Sequence, residues 1–149
     1  MTLDQIEQTL PNGFHDAFLC ALSVDYVGRT AEMDMEVWVG SMNTDDYQGR
    51  EAYRRGRLHF PGLLQFTSEV PNHEFLPEET DSLTNGLSID MAPAESDSLG
   101  REGNEWPDEP LPEGAFQRSF CFTGDANSYL RVAARDAVWT WMSEPRTIY

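Results

Sequence analysis

The chain has 149 residues, 40% of them hydrophobic, which is enough for one domain with a core of its own. Twenty-six acidic residues stand against ten basic ones, all arginine, for a formal net charge of −16. Such a surface repels phosphate backbones and anionic lipid, which argues against nucleic-acid or membrane-surface binding and suits either a basic protein partner or plain solubility.

The opening segment, MTLDQIEQTLPNG, has neither the basic start nor the continuous apolar run of a signal peptide. No window approaches the roughly 18 apolar residues of a membrane span, so the cytoplasm is the expected location. Thr2 and Gln5 have capping-box spacing, and Leu3, Ile6 and Leu10 fall on one helical face. Pro11-Asn12-Gly13 then stops this short helix.

His15 and Asp16 follow, and after them Phe18, Cys20, Leu22, Val24 and Tyr26 alternate with smaller or polar residues, as in a strand. Val27-Gly28-Arg29 turns the chain, and Ala31, Met33, Met35, Val37 and Val39 alternate with Glu32, Asp34, Glu36 and Trp38. The expectation is an antiparallel hairpin over residues 17–27 and 30–40, with Leu22, Val24, Met35 and Val37 buried. On that reading Leu22→Asp unfolds the domain.

Residues 40–49 read as a polar loop. The run from Tyr53 to Val70 is interrupted by Pro61-Gly62, which implies two strands or one strand broken by a bulge. Gly56, Leu58 and Phe60 share its inward face. Arg55, Arg57 and His59 lie outward, well placed to face Glu32, Asp34 and Glu36.

Between residues 71 and 115 the chain carries twelve acidic residues, one arginine and six of its nine prolines. This stretch reads mostly as loop, mobile around 94–105, with one strand at GLSIDM, residues 86–91. The last third returns to strand patterning. Phe116, Phe120 and Phe122 share parity, TGDANS makes a turn, and Leu130, Val132 and Ala134 align after it. Asp136 would then point inward unless a bulge falls near Ala133-Ala134 or the acid is buried against an arginine. Cys20 and Cys121 each sit in an apolar alternating run and read as unpaired small hydrophobes, with a disulfide between neighbouring strands as the alternative. The whole is expected to be a single mainly β domain, an antiparallel sandwich or roll with a short N-terminal helix.

Sites for chemistry are sparse. A histidine beside a carboxylate can serve acid–base work or hold a metal, but neighbours on a strand point to opposite faces. His15 and Asp16 are therefore expected to be structural trim where the helix meets the first strand, bonding backbone or an arginine. Trp139 and Trp141 share one strand face, read first as core and second as a partner-binding patch. NTDDYQG lacks the alternating ligands of a calcium loop, and VGSMN lacks the second glycine of a nucleophile elbow. There is no glycine-rich phosphate motif, neither cysteine has a near partner for zinc, and no metal or cofactor is expected.

LPNGFHDA, SVDY, MEVWVG, REAYRRGRLHFPGLLQF, LPEGAF and VAARDA together resemble a family of small uncharacterised bacterial proteins, a domain of unknown function. The FHDA start before a strand is also similar to β-rich immunity proteins of toxin systems. The resemblance implies a small cytosolic β-sheet protein and permits an interaction role. The expected function is thus non-enzymatic binding of a basic partner, an immunity or inhibitor protein being its concrete form. The alternative is a small-ligand or metal-binding protein, or an enzyme, with its site near His15 and Asp16.

Overall fold

Local rules explain how the chain starts. In the computed structural model, which describes residues 1–69, 86–92, 111–122 and 125–147, helix α1 spans Leu3–Glu7. The Thr2 hydroxyl accepts from Gln5 N, and the Gln5 side chain accepts from Thr2 N, so both arms of the capping box are made. Leu3 and Ile6 are buried on one face of α1, which is shorter than the spacing predicts, and Leu10 is buried from the turn past its end.

Among the described residues the remaining elements are strands with one further short helix. They are β1 (Ala17–Asp25), β2 (Thr30–Trp38), α2 (Tyr47–Arg50), β3 (Ala52–Pro61), β4 (Leu63–Ser68), β5 (Leu87–Met91), β6 (Phe116–Phe122), β7 (Asp125–Ala134), β8 (Val138–Trp141) and β9 (Arg146–Thr147). All described pairings are antiparallel, in the order β4-β7-β6-β5-β1-β2-β3-β8, with β9 also on β3. The two ends of that path belong together. β3 runs on into β4 across Gly62, and β7 runs on into β8, so β3–β4 and β7–β8 form one long bent ribbon. The sheet therefore wraps into a roll around its core. Pro61 cannot donate to the ladder and Gly62 takes φ +65°, which is what bends the first of these strands.

The hairpin forms as read, but its first strand differs inside. A register shift between Leu19 and Ala21 places one extra residue in β1. Before the shift Leu19 faces Met35 and points into the roll, so Phe18 lies on the outer face opposite Glu36. After it Leu22 faces Met33 and Val24 faces Ala31, back on the inner side. Met35 and Val37 are fully buried, whereas Val24 is half-buried against the core and Leu22 remains 36% exposed. The expectation that Leu22 is buried is corrected. Leu22→Asp should keep the fold at a cost of about 1 kcal/mol, checked by thermal melt, and loss of the cooperative transition would contradict this placement.

Across the other side of β2 the charge ladder is in register. Glu32, Asp34 and Glu36 face His59, Arg57 and Arg55. Arg57 grips Asp34 with two bonds, Nε to Oδ1 at 2.6 Å and Nη2 to Oδ2 at 3.1 Å. The Arg57 hydrogen bond, aided by the charges of Arg57 and Arg55, holds the Asp34 carboxyl below its ordinary range. Because the folded value is depressed, this stability is present above the unfolded value of about 3.9 and is lost as pH falls through the lower folded value. Asp34→Asn should lower stability at pH 7 by about 1 kcal/mol and flatten the acid limb below about pH 4, as read by urea midpoints against pH. An unchanged acid limb would contradict the assignment.

Two further expectations resolve here. The irregularity near Ala133-Ala134 exists, but on the facing strand: Leu63 pairs with Ala134 and Gln65 with Ala133. β7 ends at Ala134, so Asp136 leaves the strand and takes the Met1 ammonium and Ala137 N as donors, with no arginine among the described residues involved. The Met1 hydrogen bond holds its carboxyl below the usual range. Cys20 and Cys121 are half-buried thiols, unpaired, and burial pushes both thiols up. The stretch 94–105, expected to be mobile, lies outside the described residues.

Candidate functional site

The turn that follows α1 is built around Phe14. Its ring is fully buried, edge-on to Phe120 at 5.6 Å and to Trp139 at 5.8 Å. Asn12 ties the same turn to the end of β2, donating from Nδ2 to Trp38 O at 3.1 Å and to Gly40 O at 2.9 Å. With Phe14 inside, the next two residues emerge at the rim of the roll.

There the strand argument about His15 and Asp16 fails. The pair precedes β1, and Asp16 has φ +54°, a left-handed conformation that aspartate tolerates better than most residues. The alternation of a strand does not apply, and the two side chains meet: His15 Nε2 lies 3.3 Å from Asp16 Oδ2. Asp90 of β5 joins them. Its Oδ1 accepts from Asp16 N at 2.8 Å and lies 3.3 Å from His15 Nδ1. The register explains the meeting, since Ala17 pairs with Ile89 and brings the start of β1 beside the end of β5. One donor atom from each of His15, Asp16 and Asp90 lies within 4.8 Å of the others, with His15 and Asp16 exposed and Asp90 partly so. The backbone and carboxylate contacts tie β1 to β5. The same three donors also have the spacing of a divalent-cation site.

Trp139 and Trp141 form a separate pair on β8. Their rings meet edge-on at 5.2 Å, half-buried against the core, and the Arg54 guanidinium sits 4.4 Å over Trp141. Trp139 lies on Gly56, where a β-carbon would fall 2.1 Å from its ring.

Sequence reasoning missed two acids. Asp90 alternates with Ile89 and Met91, which marks it as outward-facing, but nothing local says what it meets. Glu36 reads as one of three solvated acids on β2, yet it is 2% exposed. Arg146 of β9 covers it and donates from Nη2 to Oε1, while Oε2 accepts no hydrogen bond from the described residues. Arg55, its cross-strand partner, leans instead to Asp34, with Nη2 at 3.5 Å from Oδ2.

Between β2 and β3 runs a loop whose start Asn12 holds through Gly40 O. Asp46 caps α2, accepting from Gln48 N and Gly49 N, and Met42, Asp45 and Tyr47 are exposed. No family model, no curated protein and no solved structure matches the chain.

Proposed function

We propose that the protein is a non-enzymatic binding module that presents an acidic surface to a basic protein partner, as an immunity or inhibitor protein of the cytoplasm does. The charge carries this reading. Of ten arginines, Arg55, Arg57, Arg118 and Arg146 are already engaged by Asp34, Glu32, Asp4 and Glu36, so the net −16 is concentrated on the acids that remain. Asp45 and Asp46 stand exposed beside Met42 and Tyr47, a mixture of charge and apolar contact that fits a protein partner. Among the described residues no helix is long and apolar enough to cross a membrane. A field of this sign speeds encounter with a cation-rich surface and repels nucleic acid.

The test is capture from the native cell with tagged wild-type protein and with an Asp45→Arg/Asp46→Arg variant, each at low and high salt. A basic protein held by wild type at low salt, released by salt and missed by the variant supports the reading. Capture that ignores both salt and charge reversal sinks it.

A second reading, a divalent-cation site, is favoured by the convergence of His15, Asp16 and Asp90 within 4.8 Å. Manganese bound stoichiometrically by wild type and lost from a folded His15→Gln variant, read by electron paramagnetic resonance, would support it. Equal behaviour of the two proteins would dismiss it.

A further inference from the structure

We propose that the edge of β3 at Ala52 and Tyr53, with the Glu36 carboxylate beside it, is a docking slot for an arginine-bearing extended segment of the basic partner, and that β9 fills this slot in the free chain. The proposal rests on the acidic-binding reading above and specifies where the partner attaches.

The observations concern an unbalanced ion pair. Glu36 is buried and Arg146 is its guanidinium partner, but the Arg146 side chain is itself 52% exposed. One carboxylate oxygen takes that guanidinium. The other, Oε2, is buried and accepts nothing from the described residues. Arginine and carboxylate pair best through two parallel bonds, so the resident contact leaves acceptor capacity unused. Arg55 does not take it up, being drawn to Asp34. Two rings stand beside the pair, Phe18 across from Glu36 on β1 and Tyr53 across from Arg146 on β3, with centroids 5.5 Å apart, while Arg55 faces Glu36 on β3.

The occupant is held by little backbone. β9 contributes two residues, with Thr147 opposite Ala52 and Arg146 opposite Tyr53. Upstream, Met142 N donates to Arg55 O at 2.9 Å, and Arg55 N donates to Ser143 Oγ at 3.2 Å. Residues 142–145 bow out from the edge, and Arg146 and Thr147 return to it as an added strand does in recognition by strand addition, where backbone bonds give affinity and one pocketed side chain gives selectivity. A buried carboxylate selects a cation, and the chain's −16 draws cationic segments toward it. A partner strand whose arginine engages both oxygens of Glu36 displaces β9.

The probe is a capped synthetic peptide of the resident segment, MSEPRT, with MSEPAT as its control, titrated into the full chain. Arg146→Ala weakens the resident occupant, so this variant should bind MSEPRT about tenfold more tightly than wild type does. MSEPAT should not bind, and adding Glu36→Gln should abolish binding. Should Arg146→Ala not fold, MSEPRT is titrated into wild type, and the amide resonances of Ala52, Tyr53 and Glu36 should shift at millimolar peptide while MSEPAT leaves them unmoved. Absence of MSEPRT binding in both proteins, or equal binding of MSEPAT, overturns the proposal. So does a concentration-dependent wild-type dimer that requires Arg146, which would assign the slot to a second copy. Salt-sensitive capture of a basic protein with no peptide binding removes this proposal alone; peptide binding without such capture removes the broader reading alone.

Discussion

Gly56→Ala is expected to cost about 3 kcal/mol, at the upper end of what overpacking usually costs. The added β-carbon would lie 2.1 Å from Trp139 Cζ2 and 2.6 Å from Cε2 and Cη2, inside any tolerable contact. A flexible side-chain end could step aside, but an indole ring moves as one body. Trp139 is also confined, with Phe14 at 5.8 Å on one side and Trp141 at 5.2 Å on another, and Arg54 lies over Trp141 in turn. Accommodation therefore means displacing β8 from β3, to which it is bonded from Gly56↔Trp141 to His59↔Val138. Urea unfolding followed by tryptophan fluorescence should show a lower midpoint. Trimming the ring with Trp139→Leu should make the double variant less destabilised than the sum of the two changes. A Gly56→Ala protein within about 0.5 kcal/mol of wild type would show that Trp139 does not rest on this glycine.

The second large effect is expected at the Glu36–Arg146 pair. Removing one member of a buried pair costs about 3–5 kcal/mol because the other is left charged and uncompensated. Glu36 is buried but Arg146 is half in solvent, so water screens part of the interaction, and Arg146→Ala should cost about 2 kcal/mol. The penalty belongs to the stranded carboxylate. Glu36→Gln should thus be milder than Arg146→Ala, and the double variant should be about as stable as Glu36→Gln alone. Chemical denaturation of the four proteins closes the cycle. Additive single effects would show that the two side chains do not depend on each other.

Much of this fold can be read from local chemistry. The α1 capping box is a spacing of two residue types, and the alignment of Arg55, Arg57 and His59 with the β2 acids follows once both strands and their faces are known. β1 was harder. Ala17 and Leu19 are apolar at odd positions, while Phe18, Cys20, Leu22 and Val24 are apolar at even ones, so either parity makes an inward face. One extra residue between Leu19 and Ala21 uses both in turn, and nothing in the pattern marks where the switch falls.

The candidate sites were less legible because distance in sequence hides them. His15 and Asp16 were visible, but their meeting depends on a left-handed Asp16 and on Asp90, which arrives on β5. Glu36 is indistinguishable in sequence from Glu32, and the arginine that engages it, Arg146, comes 110 residues later. Position on a strand tells which face a residue takes, not what later covers that face.

The long bent ribbon also fixes an order of events as the protein emerges from the ribosome. β4 pairs with β7, and β3 takes its second neighbour from β8 and β9. A nascent chain that has exposed residues 1–69 can already zip β1, β2 and β3 together, but β4 then has no partner and one flank of β3 stays bare. Closure must wait until residues 125–147 are synthesised, and non-local pairing of that kind is slow and leaves strand edges open meanwhile. Translation stalled between residues 70 and 120 should therefore yield a species prone to aggregate or to be held by chaperones, and release of the last strands should rescue it in a single late step.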